Sequence, residues 1–328
     1  MKNRYRTIAL PLVLVILATT ASCSRYGNIA PKVEAKSYYG SIVWNGLERT
    51  FLTHTPPSFT KTRSIPLVIA LHGGGGNAEA MVKLTMGGLN TLADKEGFVV
   101  IYPEGIEKNW NDGRSGNETD YRAHEENIDD VGFISALIDY QIKNLNIDPK
   151  RVYVTGMSNG AMMSLRLGCE LAGKITAIAP VAGSIPQNLL AKCLPSGTVS
   201  VLLMNGTDDP LVPLGGGYIT GPFGVKKIGK VISVDETINL WVNNNKCMQA
   251  PVITDVRDED PQDGATVQVK TYTGCGDGTE VILYTINGGG HTWPGGYQYL
   301  SKNIVGNTCR DINANEVIWN FFKRHSKQ

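Results

Sequence analysis

Arg151-Val-Tyr-Val-Thr155 runs directly into Gly156-Met157-Ser158-Asn159-Gly160 and then into Ala161-Met-Met-Ser-Leu-Arg-Leu167. The first run is apolar and strand-like, the last is helix-like, and between them stands G-x-S-x-G. Small residues on both sides of the serine let the chain turn sharply and leave Ser158 exposed above a sheet, which is what a nucleophile elbow requires. In a chain with 37 glycines the five-residue pattern is weak by itself, and an ordinary glycine-rich turn is the competing reading. The strand before it and the helix after it carry the interpretation.

A serine so placed needs an acid and a histidine later in the chain, in that order. Asn205-Gly206-Thr207-Asp208-Asp209 follows the apolar strand Val199-Ser-Val-Leu-Leu-Met204, which puts two acids in the loop after a strand. His291 lies in Gly288-Gly-Gly-His-Thr-Trp-Pro-Gly-Gly296, directly after the strand-like Glu280-Val-Ile-Leu-Tyr-Thr-Ile286. The carboxyl ends of strands in an open parallel sheet share one edge, so these loops can meet there. Ser158 would attack an acyl carbon, His291 would take and return the proton, and a buried acid would fix its tautomer.

Donors for the oxyanion are expected where Ile65-Pro-Leu-Val-Ile-Ala-Leu71, a buried strand, gives way to His72-Gly73-Gly74-Gly75-Gly76-Asn77. Glycines there can turn backbone N–H groups inward, and the N–H groups of Gly74 and Asn159 are assigned to the hole. A mobile loop or a phosphate cradle is the alternative, but no Lys-Ser or Lys-Thr pair follows and no Rossmann-type acid is correctly placed.

Outward from the elbow, the chain alternates strands with helices. Early strands are expected near Ser37 to Val43 and Leu47 to His54, a helix around Leu84 to Lys95, and a strand from Phe98 to Tyr102. A long polar loop from Pro103 to Glu126 precedes an amphipathic helix from Asp130 to Leu145, with Asp129 as its cap. Helices at Glu236 to Asn244 and Ala314 to Arg324 complete the cover. The pattern predicts an α/β, three-layer sandwich with a mostly parallel central sheet.

Lys2, Arg4 and Arg6 precede an apolar run from Ile8 to Ala18 that is too short to span a bilayer, so residues 1–22 read as an export signal. Thr20-Ala21-Ser22-Cys23 is similar to a bacterial lipobox, which makes Cys23 a lipidation candidate and the outer surface the favoured location; simple secretion is the alternative. Residues 23–36 read as a polar tether and residues 37–328 as a single catalytic domain. Without the three basic residues of the signal, 28 of the 31 remain against 30 acids. That balance gives no reason to expect nucleic acid or an anionic membrane as partner, and a monomer or weak homodimer is expected.

Five of the six cysteines follow Cys23, which in an exported chain points to disulfides rather than metal. No C-x-x-C pair is present and histidines are scattered. Cys169 is paired with Cys193 and Cys247 with Cys275, leaving Cys309 odd, although spacing cannot fix connectivity and other pairings stay open. The acidic run Asp255 to Asp263 reads either as a solvated turn or, less naturally, as a calcium loop.

Taken together, Leu71 to Ala78, Gly156 to Met162, Ala179-Pro-Val-Ala-Gly183, Gly206-Thr-Asp-Asp-Pro-Leu-Val-Pro213 and His291-Thr-Trp-Pro-Gly295 resemble the secreted polyhydroxybutyrate-depolymerase-like and feruloyl-esterase group of α/β-hydrolases. The resemblance covers roughly Ser37 to His325. It implies a serine esterase without cofactor, with Ser158, Asp209 and His291 as triad. Aligned on G-x-x-D-x-x-V-P, it selects Asp209 over Asp208. The strand-end histidine of the group's H-G-x-x-D form is Asn205 here, a departure that leaves the triad intact. Both cysteine pairs fit the group, and Cys309 finds no partner in it.

The group includes feruloyl esterases, acetylxylan esterases and short-chain polyester hydrolases, so the resemblance narrows the reaction more than the substrate. His72, Trp110, Tyr121, Trp293, Tyr297 and Tyr299 are candidate cleft residues, since flat rings near strand ends could stack on a feruloyl group or flank a hydroxyalkanoate chain; packing is the other reading of each. The absence of a carbohydrate module or Ser/Thr-rich linker favours a soluble oligomeric ester over an insoluble polymer. A surface binding protein with a spent site is the alternative of another class.

Overall fold

The computed structural model describes residues 36–114, 119, 121–221, 224 and 226–327, so the expected signal, Cys23 and nearly all of the tether lie outside the described residues. Two antiparallel strands, β1 (Lys36–Trp44) and β2 (Leu47–Thr55), lead into β3 (Ile65–Leu71). Helices α1 (Ala78–Leu84) and α2 (Gly88–Glu96) then return the chain to β4 (Val99–Pro103). A short α3 (Arg122–Glu125) and the long α4 (Asp130–Leu145) precede β5 (Ile147–Met157), α5 (Asn159–Glu170), β6 (Ala177–Val181) and β7 (Ser200–Gly206). A separate hairpin, β8 (Gly217–Thr220) with β9 (Lys227–Val231), is followed by α6 (Val234–Asn244), β10 (Val252–Asp255), β11 (Thr266–Tyr272), β12 (Val281–Asn287), α7 (Lys302–Val305) and α8 (Ala314–Phe322).

The main sheet has the order β1-β2-β4-β3-β5-β6-β7-β12-β11-β10, parallel from β4 to β12 and antiparallel at both flanks. All seven residues of β3 are buried, because a central parallel strand is covered on both faces. Leu67, Ile69 and Leu71 pack with Phe133 of α4, Leu165 of α5 and Trp241 of α6. Val68 and Ala70 point the other way, into a core with Leu89 and Ala93 of α2 and Trp319 and Phe322 of α8. The outcome is the expected three-layer α/β sandwich, with the carboxyl ends of β3, β5, β7 and β12 along one edge.

Several elements differ from the sequence reading. The helix expected from Leu84 to Lys95 is two helices, because Met86 and Gly87 adopt φ of 54° and 68° and reverse the chain. α1 starts earlier, at Ala78, where the Asn77 side chain accepts the Ala80 N–H at 2.8 Å. β6, β10, β11 and the β8–β9 hairpin are additional: β6 is only five residues long, and β10 is exposed throughout, so neither carries a strong period. α4 starts where expected, with the Asp129 carboxylate accepting the Gly132 N–H at 2.8 Å. α6 opens on a reciprocal Ser233 and Glu236 capping box, two residues before its expected start.

Cys169–Cys193 and Cys247–Cys275 are both disulfide-bonded, and Cys309 is free and buried. Two such bonds mark a chain that folds in an oxidising compartment and so suggest export. Among the described residues no helix is long and apolar enough to cross a membrane.

Candidate active site

β5 ends at Met157 and α5 begins at Asn159, leaving Ser158 alone at the corner with φ 58° and ψ −118°. A non-glycine residue in such a conformation costs about 1–3 kcal/mol and persists only when its surroundings hold it. The Ser158 N–H donates to the Val181 carbonyl at 3.0 Å, and its own carbonyl accepts the Met162 N–H at 2.9 Å. The flanking glycines act through close approach. A Cβ on Gly156 would stand 2.5 Å from the Gly160 carbonyl oxygen, and one on Gly160 would run into the carbonyls of Leu71 and His72.

His291 stands in the loop after β12 and Asp209 in the loop after β7, both buried. His291 Nδ1 and Asp209 Oδ2 are 2.7 Å apart. The other carboxylate oxygen of Asp209 accepts the N–H groups of Leu211 and Val212, each at 2.8 Å, which fixes the plane of the carboxylate. Asp208 instead accepts the Thr207 hydroxyl at 2.8 Å on the surface. An acid oriented like Asp209 keeps the imidazole proton on Nδ1 and leaves Nε2 free to accept one. Ser158 and His291 line one cavity of about 300 Å³. No mutual hydrogen bond joins them in this state, and contacts of this kind commonly tighten only around substrate. The Tyr299 hydroxyl donates to the His291 carbonyl at 3.1 Å, and burial, aided by the Asp209 charge, raises its pKa so that it stays a donor.

In the glycine loop, Gly75 donates to the Lys108 carbonyl at 2.9 Å and Gly76 to the Gly73 carbonyl at 3.0 Å. The N–H groups of Gly73, Gly74 and Asn159 have no protein acceptor among the described residues. His72 anchors this loop: its Nδ1 bonds the Gly73 carbonyl at 2.8 Å and its Nε2 accepts the Gly105 N–H at 3.0 Å. Burial lowers its pKa to about 4, so the ring is neutral at pH 7. The side chain of Asn159 spans the loop after β4, accepting the Trp110 N–H at 2.8 Å and donating to the Trp110 carbonyl at 2.9 Å and to Asp112 at 2.6 Å. Asp112 also binds Arg114 at 2.8 Å and His124 at 3.0 Å. Burial alone would raise its pKa, but these two neighbours outweigh it and hold the carboxyl well below its usual range.

Of the candidate cleft residues, His72, Tyr121, Tyr297 and Tyr299 line the cavity. Trp110 and Trp293 do not, and that assignment is corrected: both are fully buried, Trp110 donating its indole N–H to the His72 carbonyl at 3.0 Å and Trp293 to Asn315 at 3.2 Å. The buried Asp112, Arg114 and His124 went unrecognised as part of the site, although three ionisable residues in a loop before a predicted helix were the available signal. Also unforeseen is the β8–β9 hairpin, which supplies Ile219, Thr220 and Ile228 to one wall. Its Ile219 and Val231 pack with Met162 and Val212, so the wall is seated on the elbow helix and the acid loop.

Of the acidic run, Asp263 joins a cluster with Cys309 and Asp311 among the described residues. Asp263, Cys309 and Asp311 approach one another, yet Asp263 accepts the N–H groups of Ala265 at 2.6 Å and Arg310 at 2.5 Å, and Asp311 those of Glu259 at 2.9 Å and Asp260 at 3.2 Å. These carboxylates fasten loops.

A family model described as Phospholipase/Carboxylesterase matches residues 59–235. A protein of Nocardia uniformis subsp. tsuyamanensis, NocK, named as an esterase, is 32% identical over 297 residues, covering 89% of this chain and 84% of its own. Feruloyl esterase B of Piromyces equi is 28% identical over 249 residues, covering 74% of this chain, while the match spans 42% of that longer protein. Among solved structures, an acetyl xylan esterase from Aspergillus awamori superposes with a TM-score of 0.53 at 17% identity, over 78% of this chain and 94% of that one, which speaks for the fold.

Proposed function

The chain belongs to the phospholipase/carboxylesterase family of α/β-hydrolases and is a carboxylic-ester hydrolase, and from that premise we propose that it works through Ser158, His291 and Asp209 on feruloyl or related aromatic and acyl esters of plant polysaccharide. The observation that carries the triad is the 2.7 Å bond between His291 and Asp209, opening onto the same cavity as a serine held at φ 58°. The substrate class draws on the feruloyl and acetylxylan esterases among the similar proteins and on a cavity with three tyrosines, Tyr121, Tyr297 and Tyr299.

Ser158 Oγ bonds to the acyl carbon as its proton passes to His291 Nε2, and the carbonyl oxygen becomes an oxyanion facing the N–H groups of Gly74 and Asn159. Collapse breaks the ester C–O bond, and His291 returns the proton to the departing alcohol. Water then attacks the acyl-enzyme by the same route, releasing the acid and restoring Ser158. Each oxyanion donor contributes roughly 3 kcal/mol to such a step.

Ser158→Ala is expected to abolish hydrolysis of a short p-nitrophenyl ester, and surviving turnover would sink the triad. Methyl ferulate, acetylated xylan and a hydroxybutyrate oligomer compared at equal concentration test the substrate, where preference for hydroxybutyrate would favour a polyester depolymerase. An intact fold without turnover on any of them would favour a binding lipoprotein. Residues 37–328 are proposed to be the single catalytic domain, exported and attached through a lipid on Cys23, which Cys23→Ala would remove from a fatty-acid labelling assay.

A further inference from the structure

The mouth of the cavity carries a charge asymmetry that ester hydrolysis by itself does not require. Among the described residues lining it, Lys83 and Arg114 are cationic and none is a carboxylate. Arg114 is matched by Asp112 at 2.8 Å. Lys83 has no carboxylate partner among the described residues, and its ammonium stands 4.7 Å from the centre of the Tyr297 ring, a side chain 42% exposed.

The same pairing recurs on the hairpin wall. Lys227 and Lys230 lie 4.3 and 4.4 Å from the centre of the Tyr218 ring, which is 45% exposed. Neither lysine has a carboxylate partner among the described residues. Lys227 is the cross-strand neighbour of Thr220, a lining residue, and Lys230 that of Tyr218, so both lysines belong to the hairpin that walls the cavity. The segment from Leu214 to Ile232 contains no Asp or Glu, in a chain whose formal net charge is only +1.

We propose that this rim is a subsite for the carboxylates of an acidic polysaccharide, so that the ester cleaved at Ser158 is carried on a uronate-bearing chain. The proposal rests on the reading of Ser158 as nucleophile only for the position of the ester. Each ammonium seated over a tyrosine ring keeps donors for a sugar carboxylate that reaches the rim. Lys227 and Lys230 do not line the cavity, whose own wall is apolar at Met162, Leu211 and Ile228 and suits an uncharged acyl group. That placement favours a charged alcohol over a charged acyl chain. Ion pairs at such surface positions contribute modestly each and are screened by salt, so the expected signature is salt-sensitive selectivity.

Calorimetric titration of the Ser158→Ala protein with oligogalacturonate and with a neutral xylo-oligosaccharide of equal length tests this without turnover. The acidic oligomer is expected to bind about tenfold tighter at about 50 mM salt, with the advantage gone at about 500 mM. It should also be lost in Lys83→Gln/Lys227→Gln/Lys230→Gln, where Lys83 and Lys227 are exposed and Lys230 half-buried, all outside the hydrophobic core. Equal binding of the two oligomers, or a preference indifferent to both salt and the three substitutions, overturns the subsite. A hydroxybutyrate oligomer with a free terminal carboxylate forms a third arm: lysine-dependent binding of it, with none of oligogalacturonate, would refute the polysaccharide. Because nothing is hydrolysed, these outcomes are independent of which ester the active enzyme prefers.

Discussion

Replacing Asp209 by asparagine keeps the side-chain shape and removes the charge, and the hydrogen bonds around the carboxylate dictate how the new amide must sit. Oδ1 accepts two backbone N–H groups, from Leu211 and Val212, at 2.8 Å each. An amide –NH₂ in that place would face two donors, so the asparagine oxygen must stay there and its nitrogen must face His291. That nitrogen donates to Nδ1 across the present 2.7 Å contact, which moves the imidazole proton to Nε2 and removes the base that Ser158 needs. The corresponding substitution in a serine protease lowers turnover about 10⁴-fold, equivalent to roughly 5 kcal/mol at about 1.4 kcal/mol per decade. We expect that loss in kcat on a p-nitrophenyl ester, with KM and melting temperature little changed. Asp208→Asn touches only the Thr207 hydroxyl on the surface and should cost less than about threefold, as for surface changes generally. A mild Asp209→Asn, or a crippling Asp208→Asn, would refute the reasoning.

The neutral His72 makes stability depend on pH. Its folded pKa of about 4 lies below the ordinary 6.5, so between those values the unfolded chain holds a proton that the folded one does not. Stability should be full above pH 6.5 and fall by about 3 kcal/mol as the pH drops toward 4, a slope that denaturant titrations at several pH values would resolve and that His72→Gln should flatten. The two disulfides close segments separated by 24 and 28 residues and contribute roughly 2–4 kcal/mol each. Cys275 lies between β11 and β12, the strand that carries His291, so strong reductant should lower melting temperature and activity together; activity unchanged at a lowered melting temperature would contradict this. Non-reducing peptide maps should return Cys309 as a free thiol, alkylated only after unfolding.

Much of this molecule was legible in one dimension because its informative signals are local. A strand run, G-x-S-x-G and a helix run mark Ser158 as the proposed nucleophile, and the order acid then histidine at later strand ends marks the loops of its proposed partners Asp209 and His291. Apolar runs such as Ile65 to Leu71 declare a central strand, since only burial on both faces tolerates seven apolar or proline residues in succession. The choice of Asp209 over adjacent Asp208 as the proposed triad acid came from resemblance, whereas only the tertiary structure shows what each acid meets: Asp209 an imidazole and two amides, Asp208 a surface hydroxyl. The fate of the aromatic rings was likewise decided in three dimensions. Trp110 and Tyr121 share one polar loop, yet Trp110 is buried under His72 while Tyr121 faces the cavity, because the loop is pulled inward by Asn159 and by the buried Arg49–Asp130 pair, whose carboxylate also accepts the Asn111 N–H at 2.7 Å. Those contacts join residues 19 to 81 positions apart. The hairpin wall and its lysines belong to the same class: short strands with little period of their own, given a place by Met162 and Val212 beneath them. Local sequence determines which backbone forms, whereas which side chains meet depends on distant segments that no local pattern encodes.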